Sequence, residues 1–231
     1  MARIVNEHEY DQRRNEILDS AQRFVYTKGY EQMSIQDILD DLKISKGAFY
    51  HYFDSKSALL EALTGRILSN VMQIVQPIIA DPDLSAIGKL ERYFETVSNW
   101  KTNQKDYILQ LFRVWYTDEN AILRQRITAS TLKLVSPFIT LIIRQGIEEG
   151  IFHTRYPEEL AAVVLTLLQG MGEAMSALIL SPELVEGIED RMIQNVDVYT
   201  ASIERVLGLE PGTLHLVRTE DIRQWSQVAQ I

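Results

Sequence analysis

Apolar residues recur along this chain three and four positions apart, the period of a helix face, over nearly its whole length. Ile17, Ala21, Phe24 and Val25 make one stripe, closed by Lys28-Gly29. A cation in the last turn and a glycine beyond it are a helix stop, because glycine accepts the left-handed backbone that ends a helix. Ser34 precedes Ile35, Ile38, Leu39 and Leu42, and Asp37 three residues on makes a variant of the capping box. A tight turn, Leu42-Lys43-Ile44, leads to Ser45, a second cap, and a brief helix to about Tyr52. Asp54 is expected to cap a long helix carrying Leu59, Leu60, Leu63, Ile67, Val71 and Ile74 and ending near Pro77. After the loop Asp81-Pro82-Asp83 come stripes at Ile87, Leu90, Phe94 and Val97, and at Ile108, Leu111, Phe112 and Trp115. A long segment then runs from about Glu119 to Glu149, with Pro137 expected to kink it and Gly150 to close it. Pro157 opens a helix over Glu158 to Leu180, and Ser181-Pro182-Glu183 opens another that Gly208 stops. Pro211-Gly212 begins a tail whose Leu214, Leu216, Val217, Ile222, Trp225 and Val228 suit either a short docking helix or a loose end. Internal repeats and hairpin-joined strand pairs are not evident, so the pattern predicts an all-α chain.

Composition narrows the class. With 46% hydrophobic and 24% charged residues, the 231-residue chain is neither disordered nor low-complexity. It has no Cys, which removes disulfide scaffolds, thiolate metal sites and cysteine nucleophiles. The N-terminus lacks the apolar core of a signal peptide, and the uncharged run Leu160 to Gly172 is shorter than the roughly 20 residues a bilayer demands, so a soluble, cytoplasmic protein without membrane contact is expected. The net charge is −9, and residues 1–66 carry nine Lys and Arg against eleven Asp and Glu. Any binding to a polyanion must come from a local surface against an unhelpful overall field.

Such a surface is predicted near the N-terminus. Three short helices end by Tyr52, the last two joined by a tight turn, which is the helix-turn-helix plan that places the third helix in a DNA major groove. That helix reads Ser45-Lys46-Gly47-Ala48-Phe49-Tyr50-His51-Tyr52-Phe53. Gly47 and Ala48 are small enough to let the backbone approach a base edge. Lys46 can reach a guanine or a phosphate, and Tyr50 and His51 offer polar tips for phosphate oxygens. Phe49 and Phe53, four apart, would anchor the helix inward. Lys56 stands in the first turn of the next helix, where free N–H groups also attract an anion.

Residues 13–66, and especially 47–60, resemble the DNA-binding domain of the TetR family of bacterial repressors. The family pattern is matched by Gly47, Tyr50, Phe53, Lys56 and Leu59, by Ile35, Asp37 and Ile38 before them, and by Lys28-Gly29-Tyr30 at the end of the first helix. It departs at Tyr52, where the family more often has His; here His51 stands one place earlier, and Tyr52 either substitutes or packs. Arg144 to Phe152 resembles the common end of the seventh helix. The resemblance implies about nine helices: a DNA-binding domain over 1–54, then a ligand-binding and dimerisation domain over 55–231. It implies a homodimer formed by the last two long helices, a double-stranded operator, and a small effector whose binding releases DNA. Ser34, Ser45, Lys46, Gly47, Ala48, Tyr50, His51 and Lys56 are the expected DNA contacts. A pocket is expected among Phe94, Trp100, Phe112, Trp115, Phe138 and Met171, because large aromatics around a Pro137 kink pack imperfectly; its effector would be mainly apolar.

Plainer readings stand beside these. Lys46 and Lys56 also fit solvated lysines, and Tyr50 a half-buried structural tyrosine. Arg13 and Arg14 either touch phosphate or pair with Glu9 and Glu16. Arg3, against Glu7 and Glu9, argues for a loose arm rather than minor-groove insertion. The aromatics Tyr93, Phe94, Trp100, Tyr107, Phe112, Trp115 and Tyr116 are each more readily core than pocket. Gly170, Met171, Gly172 and Met175 suit close helix approach. The acidic pairs Asp40-Asp41, Glu148-Glu149 and Glu158-Glu159 diverge on a helix surface and are read as solvated. His8, His51, His153 and His215 lack ligand spacing, so neither metal nor cofactor is expected. Phosphate-binding glycine loops and hydrolase signatures are missing, which argues against an enzyme with a buried pocket. A helical interaction module without working DNA contacts is the other alternative.

Overall fold

The computed structural model describes residues 7–180 and 186–227. Among them are ten α-helices and a short 3-10 turn at Asp118–Asn120, and no strand. The helices are α1 (Glu7–Lys28), α2 (Ile35–Leu42), α3 (Lys46–Tyr50), α4 (Lys56–Ala80), α5 (Ala86–Asn103), α6 (Lys105–Trp115), α7 (Ala121–Glu148), α8 (Pro157–Leu180), α9 (Ile188–Leu207) and α10 (Thr219–Ser226). The tenth is the tail, which is a docked helix and so takes the count past the expected nine. The expected arm residue Arg3, the cap Ser181-Pro182-Glu183 and Val228 lie outside the described residues.

The chain forms two compact units. The first holds residues 1–69 and 105–127, the second residues 70–104 and 128–231. The first thus contains the whole 1–54 segment and adds the start of α4, α6 and the start of α7.

In the first unit, α1 buries Ile17, Leu18, Ala21 and Val25, α2 buries Ile38 and Leu39, and α4 buries Leu59, Leu60 and Leu63. Lys28 ends α1 and Gly29 follows at φ 83°, the left-handed stop its position foretold. Alpha-6 packs on α1. Arg66 of α4 reaches back to α1, with its guanidinium 2.5 Å from Asp19 and bonded to Gln22 and to the Leu18 carbonyl. Two expectations are corrected here. Ser55, not Asp54, caps α4, its hydroxyl oxygen accepting from the Ala58 N–H at 3.0 Å. Alpha-4 also runs through Pro77 to Ala80, since a proline so near the end costs the helix one N–H donor without breaking it.

In the second unit, one apolar cluster gathers Val75, Ile79, Leu90, Ile139, Ile142, Ile143, Val164, Ile203 and Leu207. Gly150 takes φ 73° after α7, and the chain folds back so that Phe152 lies on Gly146, where a β-carbon would sit 2.1 Å from its ring. Gly170 likewise admits Tyr199, bringing α8 and α9 together. The tail packs on α5 and α9, burying Leu214, Leu216, Ile222 and Trp225. By length and composition α7 and α8 are apolar enough to cross a membrane, which the short uncharged run at 160–172 did not suggest. Both nonetheless supply core side chains here, Val135, Ile139, Ile142 and Ile143 from α7 and Ala161, Val164 and Leu165 from α8.

Candidate nucleic-acid interface

The interface is built by short-range caps. Ser34 sits in extended backbone before α2, and its hydroxyl oxygen accepts from the Asp37 N–H at 3.2 Å. Asp37 answers: one of its carboxylate oxygens accepts from the Ser34 N–H at 2.6 Å and from its hydroxyl at 2.7 Å. The same oxygen lies 2.6 Å from the Lys28 ammonium. Lys28 first, then the Ser34 hydroxyl and N–H, hold the Asp37 carboxyl well below the usual carboxylate range. After α2 the chain turns on Lys43, a left-handed residue at φ 52°, whose N–H bonds the Leu39 carbonyl. Ser45 then caps α3 through the Ala48 N–H at 3.1 Å.

Alpha-3 is one and a half turns long, and its two faces are unlike. Phe49 is fully buried and Phe53, just beyond, is 3% exposed, so the aromatic anchors point inward as expected. Lys46, Gly47 and Tyr50 are exposed and Ala48 half-buried. The Lys46 ammonium lies 5.9 Å from the Tyr50 ring centre, so the two form one outward-facing pair. A β-carbon on Gly47 would meet nothing closer than the Ser45 hydroxyl at 3.9 Å. Packing inside the chain therefore gives no reason for a glycine there.

The remaining residues are more engaged. His51 is exposed and forms an aromatic trio with Tyr10 and Tyr52; Tyr52 stacks at 4.8 Å on Tyr10, so it packs rather than standing free. Lys56 donates from its ammonium to the Glu31 carbonyl at 3.1 Å and lies 4.5 Å from the Tyr30 ring centre, while the Tyr30 hydroxyl donates to the Lys56 carbonyl. Burial pushes the Lys56 ammonium down, against the pull of Glu31 and Asp37, and burial pushes the Tyr30 phenol up to about 12. Lys56 thus latches the α1–α2 turn to α4, with two of its three donor hydrogens left over. Arg13 pairs with Glu16 at 2.6 Å, and the Arg14 guanidinium covers the Phe53 ring at 5.1 Å.

Sequence reasoning missed the Lys28–Asp37 pair, the Tyr30–Lys56 latch and the role of Tyr10. None has a periodic signature, since each joins separate elements. The acidic pairs are exposed, as read from the sequence, but three of their members also have partners: Asp41 accepts from Ser20 and Arg23, Glu149 caps the Ala86 N–H, and Glu158 pairs with Arg144.

Of the residues expected around an effector, Phe94, Trp100 and Phe138 lie half-buried against the apolar cluster of the second unit. Met171 is buried on α8, also in that unit. Phe112 and Trp115 belong to the first unit.

Residues 17–63 match the model of the bacterial regulatory proteins, tetR family, and residues 109–172 that of a tetracyclin repressor-like C-terminal domain. The chain belongs to the TetR family. It is a DNA-binding transcriptional regulator with a helix-turn-helix, and not an enzyme. All eight expected DNA contacts fall inside the first match. Among relatives, the HTH-type transcriptional regulator YerO of Bacillus subtilis is 25% identical over 226 residues, covering 85% of this chain and 77% of YerO. The HTH-type transcriptional repressor DhaR of a Mycobacterium species is 23% identical over 158 residues, 68% of this chain and 79% of DhaR. The crystal structure of RolR in complex with resorcinol has the same fold, with a TM-score of 0.60 at 14% identity over 96% of this chain and 97% of RolR. This TetR-family chain therefore carries its DNA-reading match on the unit whose α3 turns a lysine, a glycine and a tyrosine outward.

Proposed function

We propose that the protein is a cytoplasmic, homodimeric repressor that leaves its operator when a small, mainly apolar molecule binds its second unit. The observation that carries the DNA half of this reading is the outward face of α3, where Lys46, Gly47 and Tyr50 are exposed above the buried Phe49. Lys46 and the small residues would read base edges, while the Ser34 and Ser45 helix ends, Tyr50, His51 and Lys56 would meet phosphates. A two-fold dimer sets two such helices about 34–36 Å apart, one turn of DNA. Alpha-8 and α9 are the proposed dimer surface. They pack on each other and leave Val163 45% and Val198 65% exposed. DhaR, named a repressor, supports the sign of regulation, and RolR with its resorcinol supports an aromatic effector. The half-buried Tyr93, Phe94, Trp100 and Phe138 provide apolar lining chemistry in the second unit.

A salt-dependent gel shift on DNA flanking the chain's own gene, followed by effector titration with and without operator, tests this. Linkage requires operator and effector to weaken each other by one common factor; a hundredfold release corresponds to about 2.7 kcal/mol of coupling. Effector affinity unchanged by saturating operator excludes the release mechanism. A monomer at micromolar concentration excludes the dimer.

A further inference from the structure

The first turn of α2 carries an acid beside the place where a phosphate would sit. Helix geometry leaves the leading N–H groups of α2 without intrahelical acceptors. Of these, the Asp37 N–H is taken by Ser34, and the Ser34 N–H and hydroxyl are both spent on Asp37. The Ile35 and Gln36 N–H groups remain for a phosphate, and the carboxylate of Asp37 stands next to them. An ionised carboxylate at that end stabilises the helix, yet it opposes an incoming polyanion. Lys28 answers that charge. Its ammonium meets the same Asp37 oxygen that Ser34 occupies, at 2.6 Å, and lies 5.0 Å from the Phe24 ring centre, which holds it over α1. Lys56 is the other cation whose field reaches Asp37, but its ammonium is tied to the Glu31 carbonyl.

We propose that Lys28 is a positioning residue for DNA binding: without touching DNA, it neutralises Asp37 so that the N-terminus of α2 can keep its cap and still accept a phosphate. This rests on the DNA contacts proposed above for the start of α2. Lys28 and Asp37 act as one neutral unit, so the acid serves the fold and the base removes its cost to binding. The depressed Asp37 carboxyl agrees with a carboxylate that stays ionised and paired throughout the neutral range.

The test is a double-mutant cycle on full-length protein, using a duplex selected from a random pool by the wild type. Affinity is read by fluorescence anisotropy at several salt concentrations. Lys28→Gln should weaken binding about tenfold at 0.1 M salt, the scale expected when one carboxylate is unmasked near phosphates in each half-site. Lys28→Arg should restore it. In an Asp37→Asn background, where no charge needs neutralising, Lys28→Gln should change affinity less than about twofold, and the salt slope should stay constant. Urea unfolding of all five proteins supplies a readout in which a merely structural role would appear alone. An equal loss in both backgrounds, with the slope reduced by about one per contact, means that Lys28 touches phosphate itself and overturns the inference. So does a Lys28→Gln protein that binds like wild type. A wild-type chain that selects no duplex defeats the DNA contacts themselves, an outcome distinct from failure of the cycle.

Discussion

In the first unit Ser34, Ser45 and Ser55 each cap a helix through an N–H three residues ahead. The second has, among the described residues, one such cap, Ser85 on the Gly88 N–H, and adds polar ties that span the chain. Glu149 accepts from the Ala86 N–H 63 residues away, Lys89 donates to Gln145 56 residues away, and Ser98 donates to Asp221 123 residues away. Glu204, 3% exposed, accepts from the Gly212 and Leu214 N–H groups and so fastens the tail. The contrast has a functional sense. In the reading head, local caps set where α2, α3 and α4 begin, and polar ties such as Arg66–Asp19, Tyr30–Lys56 and Ser20–Asp41 brace those helices. A unit of half-buried aromatics around an apolar cluster needs cross-chain polar clamps to fix which helices meet. Consistent with this, the exposed face of α3 holds residues with little work to do inside the fold, whereas in the second unit the buried Lys89, Glu204 and Asp221 are each bonded to residues outside their own helices.

The largest effect that can sharpen this contrast is Phe49→Ala. A fully buried ring anchors a helix of only five residues, so truncation should cost about 3–5 kcal/mol in urea unfolding and abolish operator binding. A loss below about 1 kcal/mol would mean that α3 is held mainly by its caps, and the contrast would lose its first half.

Second in size is Glu204→Ala. It leaves two backbone N–H groups at the tail without their acceptor, an expected cost of roughly 2–3 kcal/mol. Glu204→Gln keeps one acceptor and should recover about half. Operator sequence preference should not move in either protein, since the residue lies in the second unit. A changed preference, measured on a panel of substituted duplexes, would break the assignment of tail anchoring to stability alone.

The same contrast decides what could be read in the sequence. Helix starts at Ser34 and Ser45, the stop at Gly29, the inward Phe49 and Phe53 and the outward Lys46 and Gly47 are all signalled within three or four residues, and they were legible. Ser55 was missed because Asp54 beside it carries an equally good capping side chain, and only geometry chooses between neighbours. The tail stayed open between helix and loose end because its anchor, Glu204, looks like any surface glutamate in a helical pattern. Lys28 and Asp37 are nine positions apart with a turn intervening, so no period links them. The aromatics expected to form one pocket were grouped by residue type, which does not tell that Phe112 and Trp115 belong to a different unit from Phe94, Trp100, Phe138 and Met171.

A smaller effect concerns acid. The Asp37 carboxyl is depressed in the folded chain relative to its unfolded value near 3.9. A depressed carboxyl contributes stability that is fully present above the unfolded value and is lost as pH falls through it toward the folded one. The contribution should therefore be complete at pH 6 and decline below about pH 4. Because the group is solvent-facing, salt should shrink it. Unfolding midpoints followed from pH 6 to pH 2.5 should fall more steeply for wild type than for Asp37→Asn, at low salt more than at high. Parallel curves would show that the local cap contributes nothing through its charge.

The smallest effect on stability has the sharpest bearing on function. Gly47 lies inside α3, where glycine is a poorer helix former than alanine by about 1 kcal/mol, and a β-carbon there would meet only the Ser45 hydroxyl, at ordinary contact distance. Nothing in the fold resists Gly47→Ala, which should raise stability by about 0.5–1 kcal/mol. If the position is small so that the backbone of α3 can approach a base edge, the same methyl group should stand between protein and DNA. Operator affinity should then fall about tenfold or more, with the salt slope nearly unchanged because no phosphate contact is lost. Stability and binding would move in opposite directions from one methyl group, a pattern that damage to the fold cannot produce. An alanine protein that is more stable and binds its operator as well as wild type would show that the small face of α3 does not meet the groove.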